Sequence, residues 1–342
     1  MSRSHYRWVW RSWLVSVLAV AGLGLGAVPA SASPSIPPPP RDLAGQVGPQ
    51  VVDISTKFGY NNAIGAGTGI VIDPNGVVLT NNHVISSATD ISAVDVGNGQ
   101  SYAVDVIGYD RTADIAVLQL RGAGGLPSAA IGGGVSVGEP VTALGNAGGQ
   151  GGAPEVVSGK VVGLNASVSA TDTLTGANEG LGGLIHSDTP IKPGYSGGPL
   201  VNGSGQVVGV NTAATDTYKM SGGTGFAIPI GRAMGVAGQI RSGAGSNTTH
   251  IGPTAFLGLG VTDNNGNGAR VERVVNTGPA GGAGISPGDV ITGIDTVQIN
   301  GATSMTEVLV PHHPGDTIAV HYRAADGGDR TANITLAEGP PA

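Results

Sequence analysis

The 342-residue sequence contains no cysteine. Disulfides, thiolate catalysis and cysteine–zinc sites are therefore excluded, and the fold must stand on its hydrophobic core. Aromatic residues make up only 4% of the chain, and its three tryptophans, Trp8, Trp10 and Trp13, all lie near the N-terminus. Beyond that segment there is no cluster of Lys or Arg, and the formal net charge is −7. Binding nucleic acid by counterion release needs a basic footprint, so no nucleic-acid partner is expected. No later run approaches the ~18 apolar residues of a membrane-spanning helix.

Glycine, by contrast, is abundant, at 61 residues. Each interior glycine costs a helix about 1 kcal/mol. Short strands joined by tight turns are expected instead, in two or three domains. Residues 1–32 read as an export signal: Arg3, Arg7 and Arg11, then an apolar run from Leu14 to Val28, then Ala30-Ser31-Ala32 as a cleavage site. Left uncleaved, the same segment would be an anchor. Residues 33–44 form a proline-rich spacer, extended in character.

From Gln46 the chain alternates β-type runs with turns. Strands are expected at Val51–Ser55, Gly69–Ile72, Val77–Thr80, Ser101–Ile107, Ile115–Leu120, Pro140–Leu144, Ser158–Leu164, Leu184–Ser187, Pro199–Val201 and Gln206–Asn211. Asp73-Pro74-Asn75-Gly76 marks a hairpin turn. Such spacing without helical periodicity predicts a mainly β fold, an antiparallel barrel or sandwich. One helix is predicted from about Ile230 to Ile240, with Ala233, Val236, Ala237 and Ile240 on one face. Residues 242–251 are rich in Gly, Ser and Asn and read as a linker between a domain at 45–241 and a smaller one at 252–339.

The chemistry centres on Gly194-Tyr195-Ser196-Gly197-Gly198. Glycines around a serine let backbone N–H groups approach a substrate carbonyl, although Gly and Ser also fill ordinary turns. Serine needs a base to become a nucleophile, and the base needs a carboxylate to fix its tautomer. His83 ends one apolar strand and Asp114 precedes another, which gives the order His…Asp…Ser. Lys192 raises a Ser–Lys dyad, but that would leave His83 and Asp114 without a role.

Thr80-Asn81-Asn82-His83-Val84, Asp114-Ile115-Ala116-Val117-Leu118 and Gly194 to Leu200 resemble the three motifs of the HtrA (DegP-like) serine proteases, within the trypsin-like superfamily. Gly145-Asn146 and Gly225-Phe226-Ala227-Ile228-Pro229 extend the resemblance over about 45–240. It implies two six-stranded antiparallel barrels, with Ser196 as nucleophile, His83 as general base and Asp114 as its orienter. It also implies an oxyanion hole at the N–H groups of Gly194 and Ser196, no cofactor, and often a trimer, for which Phe58 and Tyr60 are candidate contacts. Position 195 departs from the pattern, holding tyrosine where the family usually has asparagine and trypsin-like enzymes aspartate. Activation by a newly cut N-terminus is therefore not expected. Six residues before Ser196, where trypsin keeps its pocket acid, stands Pro190. The family's pocket positions fall on Ile191, Phe226 and Ile228, which implies cleavage after small aliphatic residues.

Phe256-Leu257-Gly258-Leu259 resembles the carboxylate-binding loop of PDZ domains, and Pro287-Gly288-Asp289 and Pro314-Gly315-Asp316 follow in the bacterial PDZ order. A peptide C-terminus would add there as a strand, with Met305–Val310 as the groove helix. His312-His313 is no metal pair, because adjacent side chains point apart and no third ligand is evident. The resemblance therefore implies an exported endopeptidase acting on unfolded proteins or peptides. Two competitors remain. One is a weakly active chaperone-like or peptide-binding protein, suggested by Tyr195. The other is an α/β-hydrolase esterase, since Gly194-x-Ser196-x-Gly198 also fits a nucleophile elbow. That fold needs a helix after the serine, where this sequence has a hairpin pattern.

Overall fold

A computed structural model describes residues 43–60, 62–171, 178–212 and 224–342. The expected export signal at 1–32 and most of the spacer expected at 33–44 lie outside them. The spacer's last residues instead open a short helix, α1 (Leu43–Val47), which buries Leu43 and Val47.

Six strands follow: β1 (Val51–Phe58), β2 (Ala63–Asp73), β3 (Val77–Thr80), β4 (Asp90–Asp95), β5 (Ser101–Asp110) and β6 (Ile115–Leu120). They pair in the order β5-β4-β1-β2-β3-β6, and β5 also pairs with β6, which closes a barrel. The β2–β3 hairpin turns where Asn75-Gly76 predicts it. The Asn75 N–H donates to the Asp73 side chain at 3.0 Å, and Gly76 takes φ +85°. A one-turn helix, α2 (Asn82–Ile85), follows β3 and carries His83.

β7 (Pro140–Gly145), β8 (Glu155–Thr171), β9 (Asn178–Ser187), β10 (Pro199–Asn202), β11 (Val207–Asn211) and β12 (Gly225–Pro229) close a second antiparallel barrel. The helix α3 (Ile230–Arg241) begins directly after Pro229 and buries Ile230 with Ala233, Ala237 and Ile240 of the predicted face, while Val236, also predicted there, is only partly buried against the core. That face joins a core shared by both barrels, including Leu79, Ile115 and Val117 of the first and Leu184, Val210 and Ile228 of the second. The two-barrel, mainly β architecture is as expected.

The stretch 242–251 is only partly a free connection. Thr249–Ile251 forms β13, antiparallel to β5 on the outside of the first barrel, with Thr249 opposite Asp110. The Thr249 hydroxyl donates to the Asp110 carboxylate at 2.8 Å. The C-terminal module follows. β14 (Thr254–Phe256) precedes a sheet of β15 (Leu259–Asp263), β16 (Ala269–Val274), β17 (Val290–Ile294), β18 (Val297–Gln298), β19 (Thr317–Arg323) and β20 (Asp329–Thr335). α4 (Pro279–Gly282) and α5 (Ala302–Leu309) lie in its connections, and β21 (Ala337–Gly339) returns to pair with β14. The module has its own core around Val271, Ile291, Met305, Ile318 and Ile334.

The module is tied to the first barrel at several points. Tyr60, on the β1–β2 turn, stacks on Phe256 with ring centroids 5.6 Å apart, and its carbonyl accepts from Arg273 at 2.6 Å. Past β21, the Pro341 carbonyl accepts the Ser87 N–H at 2.7 Å and the Ala342 carbonyl accepts the Asn82 side chain at 3.0 Å. The tail therefore rests on the helix that carries His83.

Candidate active site

β3 ends in Thr80, Asn81 caps α2, both are fully buried, and α2 then presents His83. Asp114 closes the turn between β5 and β6 at φ +53°, a left-handed conformation that Asp tolerates better than most residues. From there its Oδ1 accepts the His83 N–H at 3.0 Å, and its two oxygens lie 3.0 and 2.9 Å from the His83 Nδ1. The Asn81 side chain donates to the Asp114 carbonyl at 2.9 Å, fixing the turn itself. The carboxylate thus holds both the backbone and the ring of His83, so Nδ1 carries the hydrogen and Nε2 is left as the basic nitrogen. Nε2 is buried and meets no acceptor or donor among the described residues. Burial opposes the charged ring, but the adjacent Asp114 carboxylate, by charge and hydrogen bond, outweighs it and raises the His83 pKa above its ordinary value.

Ser196 lies in the turn before β10 and is itself buried. Two residues at the end of β11 connect this turn to Asp114. The Asn211 carbonyl accepts the Gly197 N–H at 2.8 Å, and the Asn211 N–H donates to the Gly198 carbonyl at 2.8 Å. Next to it, the Thr212 hydroxyl donates to Asp114 Oδ2 at 3.2 Å. A continuous bonded path therefore runs from the serine turn through Asn211 and Thr212 to Asp114 and His83. Neither Asn211 nor Thr212 stands out in the sequence, because polar residues at strand ends are ordinary. Gly67 is the other meeting point: a Cβ there would lie 2.6 Å from Val84 on α2 and 3.3 Å from the Ser196 carbonyl. Gly67 is thus a packing position of β2, where the two barrels meet.

The turn is glycine-dependent for a visible reason. Gly194 has φ +98°, and a Cβ there would lie 2.0 Å from the Asn146 carbonyl oxygen. The Pro193 carbonyl accepts the Gly148 N–H at 2.9 Å. In the same planar trans peptide the Gly194 N–H must point the opposite way, and no described residue accepts it. Such an N–H is what an oxyanion hole requires.

Tyr195 does not crowd this turn. Its ring is fully buried inside the second barrel with Val141, Ala143, Leu200 and Val208. Gly145 makes room for it, since a Cβ there would lie 2.6 Å from the Tyr195 Cα. Burial, reinforced by the nearby Glu155 carboxylate, pushes the phenol's pKa up, so the ring stays neutral.

The pocket candidates separate. Ile191 is partly buried against the core of the second barrel, to which Ala227 belongs, whereas Ile228 is fully buried in the core shared with the first barrel. Phe226 borders that shared core and stacks on His186 at 4.7 Å. Ala227 faces the same apolar cluster as Ile191, and its β12 neighbours Phe226 and Ile228 face the shared core, as strand alternation requires. Asp188 is turned toward β8, where it accepts the Lys160 N–H at 2.6 Å. Lys192 pairs with Glu155 at 2.6 Å, on the surface. Ser196 is followed by the β10–β11 hairpin, so the helix an esterase elbow needs is absent from this described segment.

Residues 67–210 match the family profile of a trypsin-like peptidase domain, and residues 255–336 match that of a PDZ domain. Over 342 residues the chain is 36% identical to a serine protease, PepD, of Mycobacterium tuberculosis, covering 93% of this chain and 71% of that one. The chain belongs to the HtrA family of serine endopeptidases. Another HtrA-family relative, the periplasmic pH-dependent serine endoprotease DegQ of Escherichia coli, is 33% identical over 265 residues, which covers 74% of this chain and 55% of that one. Among solved structures, the HtrA-type protease AlgW with a tripeptide superposes with a TM-score of 0.50 at 26% identity, covering 88% of this chain and 97% of that one. In the PDZ domain of this HtrA protein, the chain runs from Phe256, at the end of β14, through Leu257 and Gly258 to Leu259 at the start of β15. Gly258 has φ +81°, and the N–H groups of Leu257 and Gly258 donate to no described residue.

Proposed function

We propose that this chain is an exported HtrA-type endopeptidase that cuts unfolded or partly unfolded proteins, with Ser196 as nucleophile, His83 as general base and acid, and Asp114 as orienter. The observation that carries the assignment is the bonded path from the serine turn through Asn211 and Thr212 to Asp114 and His83. In the reaction, the Ser196 hydroxyl attacks the scissile carbonyl while His83 Nε2 takes its proton. The oxyanion is received by the N–H groups of Gly194 and Ser196, and the proton passes to the leaving amine. Water then repeats the sequence on the acyl-enzyme.

Export is supported by the charged, apolar and A-x-A pattern of residues 1–32 and by the periplasmic relative. A preference for small aliphatic residues before the cut is supported by the apolar cluster to which Ile191 and Ala227 both belong, with Asp188 engaged on β8. Such residues are normally buried, so unfolded substrates should be cut faster than folded ones. Capture of peptide C-termini is supported by the N–H groups of Leu257 and Gly258, which donate to no described residue. A trimer through Phe58 and Tyr60 would have to share Tyr60 with Phe256; light scattering of the purified chain decides it.

The competing reading, a weakly active binding protein, drew on Tyr195, and the ring's place inside the barrel removes that motive. The deciding experiment is digestion of unfolded casein with mass-spectrometric mapping of the fragments, beside Ser196→Ala. Cleavage that depends on Ser196 and falls mainly after Val, Ala, Ile or Leu is expected. Cleavage unaffected by Ser196→Ala would refute the assignment, and a majority of cuts after Lys or Arg would refute the pocket.

A further inference from the structure

Thr68 lies mid-way along β2, fully buried, directly opposite Asp53 of β1. Its hydroxyl accepts the Asn146 N–H at 2.9 Å, and this fixes the direction of its own proton, which goes to the Gly194 carbonyl at 2.6 Å. Its backbone N–H donates to the Ser196 carbonyl at 2.8 Å, and its carbonyl accepts the Thr80 hydroxyl at 2.7 Å. One residue of the first barrel therefore grips the serine turn of the second at two successive points.

What that grip controls follows from the glycine it holds. Gly194, at φ +98°, has no Cβ to restrict it, so the peptide planes on either side of it could rotate at little steric cost. The plane before it, Pro193–Gly194, is held by the Gly148 N–H. The plane after it, Gly194–Tyr195, is held at both ends, by the Thr68 hydroxyl on the Gly194 carbonyl at 2.6 Å and by the Tyr195 N–H on the Lys192 carbonyl at 3.1 Å. With both planes fixed, the direction of the Gly194 N–H is fixed as well. The packing leaves no slack: a Cβ on Gly197 would lie 2.1 Å from the Thr68 carbonyl oxygen, and one on Gly198 would lie 3.0 Å from the Thr68 methyl.

We propose that Thr68 is a positioning residue for catalysis, whose hydroxyl holds the Gly194 carbonyl and thereby aims the Gly194 N–H into the oxyanion hole. The proposal rests on Ser196 being the nucleophile. It distinguishes the hydroxyl from the bulk of the side chain, because valine has the same shape but would leave the Asn146 N–H and the Gly194 carbonyl unpaired.

The test uses the full chain and a chromogenic peptide substrate. Removing an oxyanion donor outright costs about 10²–10³ in turnover, so loosening one in Thr68→Val should lower kcat by about 10- to 100-fold with KM changed less than about threefold. A peptide aldehyde, which forms a hemiacetal with Ser196 and places its oxyanion in the hole, should lose affinity in the same proportion. A non-covalent product peptide should bind as before. Thr68→Ser keeps the hydroxyl and should recover most of the lost kcat. Should Thr68→Val fail to fold, Thr68→Ala removes the same hydroxyl with less bulk and gives the same readout.

Unchanged kcat and aldehyde affinity in a folded Val or Ala variant would overturn the proposal. So would a loss that Thr68→Ser does not recover, or one shared equally by the product peptide. Wild-type cleavage that persists in Ser196→Ala would instead overturn the assignment of the nucleophile, so the two failures are distinguishable.

Discussion

Asp114 makes four contacts from one side chain: the backbone N–H and the Nδ1 of His83 on one oxygen, the same Nδ1 and the Thr212 hydroxyl on the other. Its loss should therefore disturb orientation more than folding. Ser196→Ala and His83→Ala should each lower kcat by on the order of 10⁴-fold or more, and the double variant should be little worse than either. Additive losses in steady-state kinetics would count against a single unit. The pH dependence has a definite sign. His83 works as a base only when neutral, and Asp114 raises its pKa. The acidic limb of kcat/KM should therefore have its midpoint above the ordinary imidazole value of about 6.5. Asp114→Asn should move that midpoint down, and a pH–rate profile of both proteins checks it. The three candidate residues were legible because each sits in a short motif at a strand edge. Thr68, Asn211 and Thr212 were not, since a strand-embedded Thr or Asn becomes informative only once the other barrel is placed against it.

At the scale of elements, strands with a continuous apolar run, such as β3 and β6, were legible to the residue. β4 was not. Its buried positions are Ala93 and Asp95, which give almost no hydrophobic signal, and pairing with β1 on one side and β5 on the other makes it a strand. β13 was equally hidden, because a Gly/Ser/Asn-rich connection becomes a strand only through the free edge of β5. β1 carries a testable charge. The buried Asp53 carboxylate accepts the Gly152 N–H at 2.7 Å with one oxygen, while the other has no described partner. Burial raises its pKa, with the Gly152 bond opposing. A carboxyl raised on folding contributes most stability below its unfolded value of 3.8 and loses that contribution as pH climbs through the folded value. Asp53→Asn keeps an acceptor for Gly152 and removes the charge. Its Tm should exceed the parent's at pH 7 and converge with it below pH 3.8; thermal unfolding at several pH values reads this directly.

At the scale of the molecule, the PDZ domain is bound into the protease more closely than its sequence suggests. His250, buried on the linker strand, sits between the rings of Tyr109 and His313, each with its centroid 5.2 Å away. Its Nδ1 lies 2.6 Å from the Val310 carbonyl at the end of α5. A chain ending at residue 251 would keep both barrels and β13, and it should still unfold cooperatively. It would lose the contacts of Pro341 and Ala342 with the residues around α2. Its kcat on casein should therefore fall by several-fold while its Tm drops only modestly, and a protein that fails to fold would show that the domains are not separable. Two modules were legible from their motifs; the joint between them was not, because it is made of isolated aromatic and backbone contacts with no periodicity.

The stack of Tyr60 on Phe256 has an optical consequence. All the tryptophans of the sequence precede residue 14, so a chain beginning after residue 32 would contain none. Tyr60→Trp in that chain would install a single indole against Phe256, the first residue of the loop proposed to capture a peptide C-terminus. Its emission would depend on the ring beside it and on the water around it. A peptide with a free C-terminal carboxylate should shift that emission in a saturable way, and the same peptide as an amide should not. Equal responses to acid and amide would refute carboxylate capture. A saturable response to the acid alone would turn the junction between the two domains into a reporter of PDZ occupancy, recorded by fluorescence while casein is being cut.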